Sequence, residues 1–130
     1  DPITNLVSNL GVIASDTAAV AGVGDAANGA GCSYGGDKGI FGFGAAGAGG
    51  YGRTNLVSNA GVIAADVAAV GTARYYVGAC EYGGDKGIFG FGYDSGYGDV
   101  TNQVSDTGVV QSDVTGVGTG RVFPSGCSWG

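Results

Sequence analysis

The sequence contains no histidine, and only 12% of its residues are charged. Without histidine, the chain lacks the commonest general base, the commonest metal ligand and the usual partner of a serine or cysteine nucleophile. Its acidic residues are scattered singly, so no recurring pair is placed for acid–base catalysis. We therefore expect no enzymatic activity, no cofactor and no metal site.

Positive charge is also scarce, because five Lys and Arg residues stand against eleven Asp and Glu, for a net charge of -6. A chain with this balance has no basic surface for a nucleic acid. Glycine interrupts every apolar run well before the roughly 18 residues that a membrane-spanning helix needs, and the first residues do not resemble a signal peptide. We expect no nucleic-acid partner and no membrane insertion.

Glycine is abundant, with 30 of the 130 residues, whereas proline occurs only twice. The glycines follow no triplet period, which excludes a collagen-like chain. An apolar share of 44% argues against a disordered chain. Because the length is that of one small domain, we expect a single ordered domain over residues 1–130.

Internal repetition is the strongest feature of the sequence. The ten residues GGDKGIFGFG at 35–44 return unchanged at 83–92, an offset of 48. The motif TNLVSN at 4–9 returns at 54–59, an offset of 50, and as TNQVSD at 101–106, an offset of 47. These registers define two full copies and a truncated one, about two and three quarter repeats of 47–50 residues, at 3–53, 54–100 and 101–130.

Each copy alternates short β-type runs with turn residues. In the second copy, YYVGACEY at 75–82 and GIFGF at 87–91 are predicted strands, and the intervening GGDK supplies a hairpin turn. A longer loop at 92–100 precedes the third strand, TNQVS, and VVQS at 109–112 is the fourth. Across the chain this pattern predicts eleven strands in an all-β fold of tandem four-stranded antiparallel blades, as in a β-propeller.

Two local features of these runs carry expectations of their own. Alternation within GIFGF predicts Ile88 on one face of its strand and Phe89 with Phe91 on the other. The alanine-rich runs at 12–20 and 62–70 allow a rival interpretation as short helices, although the glycine that follows each run leaves two turns at most.

One cysteine occupies the same position in each copy, at Cys32, Cys80 and Cys127. An odd number of cysteines cannot pair completely within one chain. We predict small, buried, unpaired thiols, since free cysteine is among the most buried residue types. The alternatives are a disulfide between neighbouring repeats or chains, and a metal site, for which three isolated thiols lack the usual paired spacing.

The order of elements within the repeat resembles the kelch-type repeat of β-propellers. A strand begins just after Arg74, the turn GGDK leads to the apolar strand IFGFG, and TNQVS and VVQSD follow on either side of DTG before the chain returns to Arg121. The amino-acid sequence of the unit, with the motifs TNLVSN, GTAR and YGGDKGIFGFG, is also similar to tandem repeats of predicted marine phage tail-fibre-like and surface proteins. The resemblance implies a propeller, which typically closes with four to eight blades, and a location outside the cell or on a virion surface.

Positions that stay the same between copies are expected to be architectural. We expect an arginine at the start of a blade to reach an acidic residue and so fix the blade corner, although the first copy has Ala26 at this position. The residues assigned a structural role are Asp66, Arg74, Asp85, Lys86, Phe89, Phe91, Asp113 and Arg121.

Polar and aromatic positions that vary between copies are candidate ligand contacts. Tyrosine beside carboxylates in loops suits a glycan or a protein surface, because the ring covers apolar faces and the oxygens accept hydrogen bonds. The loop at 94–99 also has two carboxylates that could hold calcium, with a solvated turn as the plainer interpretation. The candidates are Tyr75, Tyr76, Glu81, Tyr93, Asp94, Tyr97 and Asp99.

These observations favour a non-enzymatic structural or interaction module, a β-propeller segment of a surface or virion-associated assembly. One alternative is a carbohydrate-binding propeller lectin, and another is a protein that binds ice or mineral surfaces through flat strands rich in Thr, Ala and Gly. Fewer than three blades do not close a propeller. We therefore expect the partner to be a second copy of the chain or neighbouring repeats of a longer chain, with a glycan as the partner of a lectin.

Overall fold

A computed structural model of the chain describes residues 3–18, 20 and 27–129. Six strands form two antiparallel three-stranded sheets, β1-β2-β3 and β4-β5-β6. The strands are β1 (Ala30–Tyr34), β2 (Lys38–Ala46), β3 (Gly49–Val57), β4 (Gly78–Tyr82), β5 (Lys86–Tyr93) and β6 (Tyr97–Val104).

The all-β class predicted from the sequence is confirmed. The described residues contain no helix, and the alanine-rich runs at 12–20 and 62–70 are therefore not helical wherever the structure describes them. Within the described ranges, no helix is long and apolar enough to cross a membrane.

The repeated GGDK motif forms the first turn of each sheet, as predicted. Tyr82 and Lys86 pair across the turn between β4 and β5. Gly83 and Gly84 within it have φ angles of 63° and 79°, which glycine adopts without steric cost.

The turn between β5 and β6 is shorter than the sequence indicated. Tyr93 at the end of β5 pairs with Tyr97 at the start of β6, so three residues make the connection. The predicted long loop at 92–100 is therefore wrong, because both strands extend into it by pairing with each other.

An irregularity in the middle strand of each sheet changes which side chains share a face. The register of β5 against β6 shifts between Gly90 and Gly92, and Phe91 between them has a φ of 62°. Phe91 and Ile88 consequently line one cavity, whereas the Phe89 ring contacts the other sheet. The prediction that Phe89 and Phe91 share a face is wrong. The same shift occurs at the matching position of β2.

The segment after the third strand of each sheet is bridged to that strand without forming a continuous fourth one. We call this segment the outer segment. Thr54 pairs with Val67 and Val57 pairs with Ile63, so the outer segment has one residue more than the strand between the two pairs. The same spacing recurs in the other copies. In the described residues, six strands and three-stranded sheets thus replace the expected eleven strands and four-stranded blades.

The molecule is a row of four parts along the chain. The parts are the N-terminal hairpin (4–17), the first unit (27–67), the second unit (74–114) and the C-terminal segment (121–129). At the first junction, between the two units, the buried rings of Phe43 and Phe89 lie 5.0 Å apart. The other buried residues of this core are Tyr34, Ile40, Val77, Val104 and Val110. At the second junction, the C-terminal segment lies against β4 of the second unit.

Candidate functional site

An asparagine–aspartate pair closes the outer segment in every copy. In the second unit, Nδ2 of Asn102 donates to Oδ1 of Asp113 at 2.8 Å and to the Gln111 carbonyl at 3.1 Å. This Asn–Asp clasp satisfies a carbonyl at the point where the backbone ladder is interrupted. The equivalent pairs, at 2.9 and 2.8 Å, are Asn55–Asp66 and Asn5–Asp16.

Hydrogen bonds hold two of these carboxylates in the ionised form. Partial burial by itself would raise the pKa of Asp113, but donors from Asn102 and Thr72 outweigh it and the pKa lies below its usual value. Partial burial of Asp66 is likewise outweighed by its clasp asparagine and by Arg53, so the pKa of Asp66 is also lowered. The repeated aspartates were found from the sequence, whereas their asparagines were missed, although the TN motif repeats in all three copies.

The loop that joins the two units binds the clasp of the second unit. The backbone N–H of Thr72 lies 3.2 and 3.0 Å from the two oxygens of Asp113, and the Thr72 hydroxyl donates to Oδ2 at 2.7 Å. Gly71 before it has a φ of 79°, and a Cβ at this position would overlap Oδ1 of Asp113. We call residues 71–72 the first carboxylate receptor.

Arg74 lies inside the first junction and is only 2% exposed. Its guanidinium is 4.5 Å from the centre of the Phe43 ring and donates to the Phe91 carbonyl at 2.8 Å. Its closest polar partner is Oδ1 of Asn102 at 2.6 Å, and the Asp113 carboxylate is 4.0 Å away. Burial lowers the pKa of Arg74, and the charge of Asp113 opposes this effect.

Arg121 begins the second junction with similar local geometry but is exposed. Its guanidinium lies 4.6 Å from the centre of the Phe91 ring, and its Nε donates to the Thr119 carbonyl at 3.1 Å. Among the described residues, no acidic side chain forms an ion pair with Arg121. The expected arginine–aspartate contact therefore occurs at one junction only.

Four of the seven candidate ligand-binding residues form one aromatic cluster. The Tyr75 ring lies 4.6 Å from Tyr76 and 5.5 Å from Tyr93, and Tyr97 lies 6.2 Å from Tyr93. Phe123 extends the cluster at 4.0 Å from Tyr76. Sequence reasoning missed Phe123, although it occupies the position in its copy that Tyr76 occupies in the preceding one.

The aromatic cluster is partly open to solvent and has a carboxylate beside it. Tyr97 is 71% exposed and Phe123 is 67% exposed. Asp94 follows Tyr93 directly, and its Oδ1 accepts from the backbone N–H of Ser95 at 2.5 Å, which fixes the turn. The exposed Tyr97 ring of the second unit, the exposed Phe123 ring of the C-terminal segment and Asp94, which follows Tyr93, form the most ligand-like part of the described surface.

The remaining candidates lie outside the aromatic cluster. Glu81 lines a surface cavity with Trp129 beside the turn between β4 and β5. The backbone of Asp99 lies against Gly116 in the segment that follows the second unit. Of the residues assigned structural roles, Asp85 and Lys86 form an exposed ion pair of 2.8 Å within their turn.

The three cysteines are unpaired and differ in burial. Cys32 is half-buried and faces the second sheet, and burial raises the pKa of its thiol from 9.0 to about 11. Burial also raises the pKa of Cys80, which lies at the second junction. The three thiols are unpaired, as expected, but the expectation that they are buried is wrong: Cys32 and Cys80 are partly buried and Cys127 is exposed.

The described part of the chain has no group of His, Cys, Asp and Glu side chains arranged to hold a metal ion. Comparison with known protein families finds no family that matches the chain, and comparison with curated proteins finds no match either. The functional proposals below are therefore based on the contacts at the two junctions and on the aromatic cluster.

Proposed function

We propose that the chain is a non-enzymatic structural and interaction module, a β-propeller-like segment of a larger surface or virion-associated assembly. In this role its repeats would build the assembly by stacking face to face. The observation that supports the proposal is the contact between the first carboxylate receptor and Asp113, in which Thr72 donates through both its backbone and its hydroxyl. A contact of this kind joins one repeat to the next without requiring a ligand.

The two ends of the row support the same proposal. The N-terminal hairpin and the residues after the second unit expose large apolar side chains, whereas their counterparts Leu56, Val70 and Tyr76 near the first junction are partly buried. Exposed apolar surface of this kind favours association. The exposed residues include Leu6, Leu10 and Ile13 at one end and Val117, Phe123 and Trp129 at the other.

Light scattering coupled to size-exclusion chromatography tests the proposal. We expect a native mass above the 12.5 kDa of the single chain, rising with protein concentration. A folded monomer near 12.5 kDa at every concentration, with a cooperative unfolding transition, would contradict it.

Glycan binding at the aromatic cluster is a second candidate function. The exposed rings of Tyr97 and Phe123 could stack on the apolar faces of sugar rings, and the carboxylate of Asp94, which follows Tyr93, could accept hydrogen bonds from hydroxyl groups. The clustering of Tyr75 and Tyr76 with Tyr93 and Tyr97, two groups that lie apart in the sequence, favours this candidate over the ice-binding alternative.

A glycan array with two variants tests this second candidate. We expect Tyr97→Ala to abolish binding and Trp129→Ala, which removes an exposed aromatic residue outside the cluster, to leave it unchanged. Absence of binding by the wild-type chain would exclude the lectin and would leave the structural module unaffected.

A further inference from the structure

We infer that residues 118–119 form a second carboxylate receptor, and that this receptor binds Asp16 of a second copy of the chain. The inference rests on the proposed self-association and identifies the surfaces that carry it. The receptor and the clasp that meet at the first junction are each present once more, at opposite ends of the described chain.

The second receptor resembles the first. Gly118 has a φ of 106°, in the left-handed region that Gly71 also occupies at 79°. The arginine that follows each receptor donates to the carbonyl of the receptor threonine at 3.1 Å and stacks on a phenylalanine ring. Thr119 is exposed, and no carboxylate of the described residues accepts a hydrogen bond from it. The site thus lacks a carboxylate partner among the described residues, and Nη2 of Arg121 lies beside it, 3.5 Å from the position of a Cβ on Gly118.

The N-terminal hairpin presents the matching clasp. Nδ2 of Asn5 donates to Oδ1 of Asp16 at 2.8 Å, the same distance as between Asn102 and Asp113. Both asparagines also donate to a carbonyl of the outer segment at 3.1 Å. Asn5 and Asp16 are exposed, and within the described ranges Asn5 is the only hydrogen-bond partner of Asp16.

A glycine in the outer turn of each copy gives a second point of contact. Gly61 lies against the side chain of Leu6, and Gly108 lies against that of Leu56, each leucine coming from the preceding copy. Gly11 is the equivalent residue of the N-terminal hairpin, and no atom lies near the position of a Cβ there. Gly11 is therefore open to the preceding unit of another molecule, in which Gln103 occupies the position of Leu6 and Leu56.

Docking through these surfaces is head-to-tail. Each bound molecule presents a free receptor or a free clasp of its own, so the association continues beyond a dimer. In the described residues, no strand equivalent to β5 lies between the C-terminal segment of one molecule and the N-terminal hairpin of the next, so the contact depends on the receptor and on packing over Gly11. We therefore expect dissociation constants between about 1 µM and about 1 mM.

Each of two substitutions blocks one of the two docking surfaces, the N-terminal clasp or the second receptor. Asp16→Lys removes the carboxylate and reverses its charge, and Gly118→Val fills the space that the carboxylate would enter. Both positions are exposed and lie outside the two sheets, and circular dichroism verifies folding. The matched controls are Asp37→Lys, in an exposed turn, and Gly47→Val, at an exposed glycine with a φ of 64° and open space around it.

Sedimentation velocity over about 1 µM to about 1 mM measures the outcome. We expect the mean mass of the wild type and of both controls to rise beyond twice the 12.5 kDa of the chain. Each blocked variant alone should associate at least roughly tenfold more weakly, as expected when a charge-assisted contact is removed. An equimolar mixture of the two variants should form dimers, because one has an intact receptor and the other an intact clasp.

Association of either blocked variant at wild-type concentrations, or a mixture that stays monomeric while the wild type associates, would overturn this docking and leave the proposed self-association standing. A wild-type chain that stays monomeric up to about 1 mM would overturn both.

Discussion

The first junction covers Arg74 completely, whereas the second junction leaves Arg121 exposed. The two arginines stack on phenylalanine rings at almost the same distance, 4.5 and 4.6 Å. Only Arg74 is also bound by an Asn–Asp clasp, through Asn102, which belongs to the sequence copy that follows that of Arg74. The comparison shows that a repeated residue becomes part of the core only where the next repeat supplies its partners.

The largest expected effect separates these two arginines. Arg74→Ala should lower the free energy of unfolding by about 3 kcal/mol, because it leaves Asn102 and the Phe91 carbonyl buried without their partner. Arg121→Ala should cost less than about 1 kcal/mol, since an exposed cation over a ring contributes little. Urea unfolding at a concentration where the chain is monomeric measures both. Equal losses would contradict the comparison.

Thiol reactivity extends the comparison along the row of cysteines. With its pKa raised from 9.0 to about 11, the Cys32 thiol should be alkylated about 100-fold more slowly than an ordinary thiol at neutral pH, because it forms less thiolate. The exposed Cys127 should react first. Mass spectrometry of the native chain after timed alkylation gives the order. In urea the three rates should become similar, and similar rates in the native chain would refute the difference in burial.

The two receptor glycines sharpen the comparison at the backbone. Gly71→Ala and Gly118→Ala should both suffer strain of about 1 kcal/mol, since both glycines have positive φ. Gly71→Ala should cost about 1–2 kcal/mol more, because the new methyl group displaces Asp113 from the first receptor. Unfolding midpoints of the monomeric variants measure the difference. If the two variants lose the same stability, the first receptor does not stabilise the junction.

The smallest expected effect is the pH dependence of the stability that the Asp113 carboxylate contributes. The pKa of Asp113 is lower in the folded chain than its ordinary value of 3.8, so its contribution is fully present above that pH and is lost as the pH falls through the lower folded value. Asp113→Asn should therefore cost about 1 kcal/mol at pH 7 and less below pH 3.8. Asp16→Asn, at an exposed clasp, is the control and should change little. Urea unfolding at several pH values follows both variants, and a cost for Asp113→Asn that stays constant with pH would contradict the role of the carboxylate.

Some features of the junctions could be predicted from the sequence, and others could not. The GGDK turn and the repeated aspartates are visible because glycines and polar residues recur at fixed spacing. The position of Phe91 could not be predicted, since its φ of 62° follows from a register shift between β5 and β6. The fourth strands were overpredicted for a related reason. An asparagine side chain takes the place of a backbone hydrogen bond at the point where each ladder is interrupted.

The sequence by itself determined the repeat register and the all-β class, because both depend on local periodicity and composition. Only the tertiary structure decided which copy of a repeated residue is buried. It also decided which copy gains partners from its neighbour, since Asp113 accepts hydrogen bonds from Thr72 of the preceding loop and Asp16, among the described residues, accepts only from its clasp asparagine. Likewise, Cys32 is half-buried and Cys127 is exposed. Burial depends on the neighbouring repeat, and equivalent residues in the middle and at the ends of the row have different neighbours.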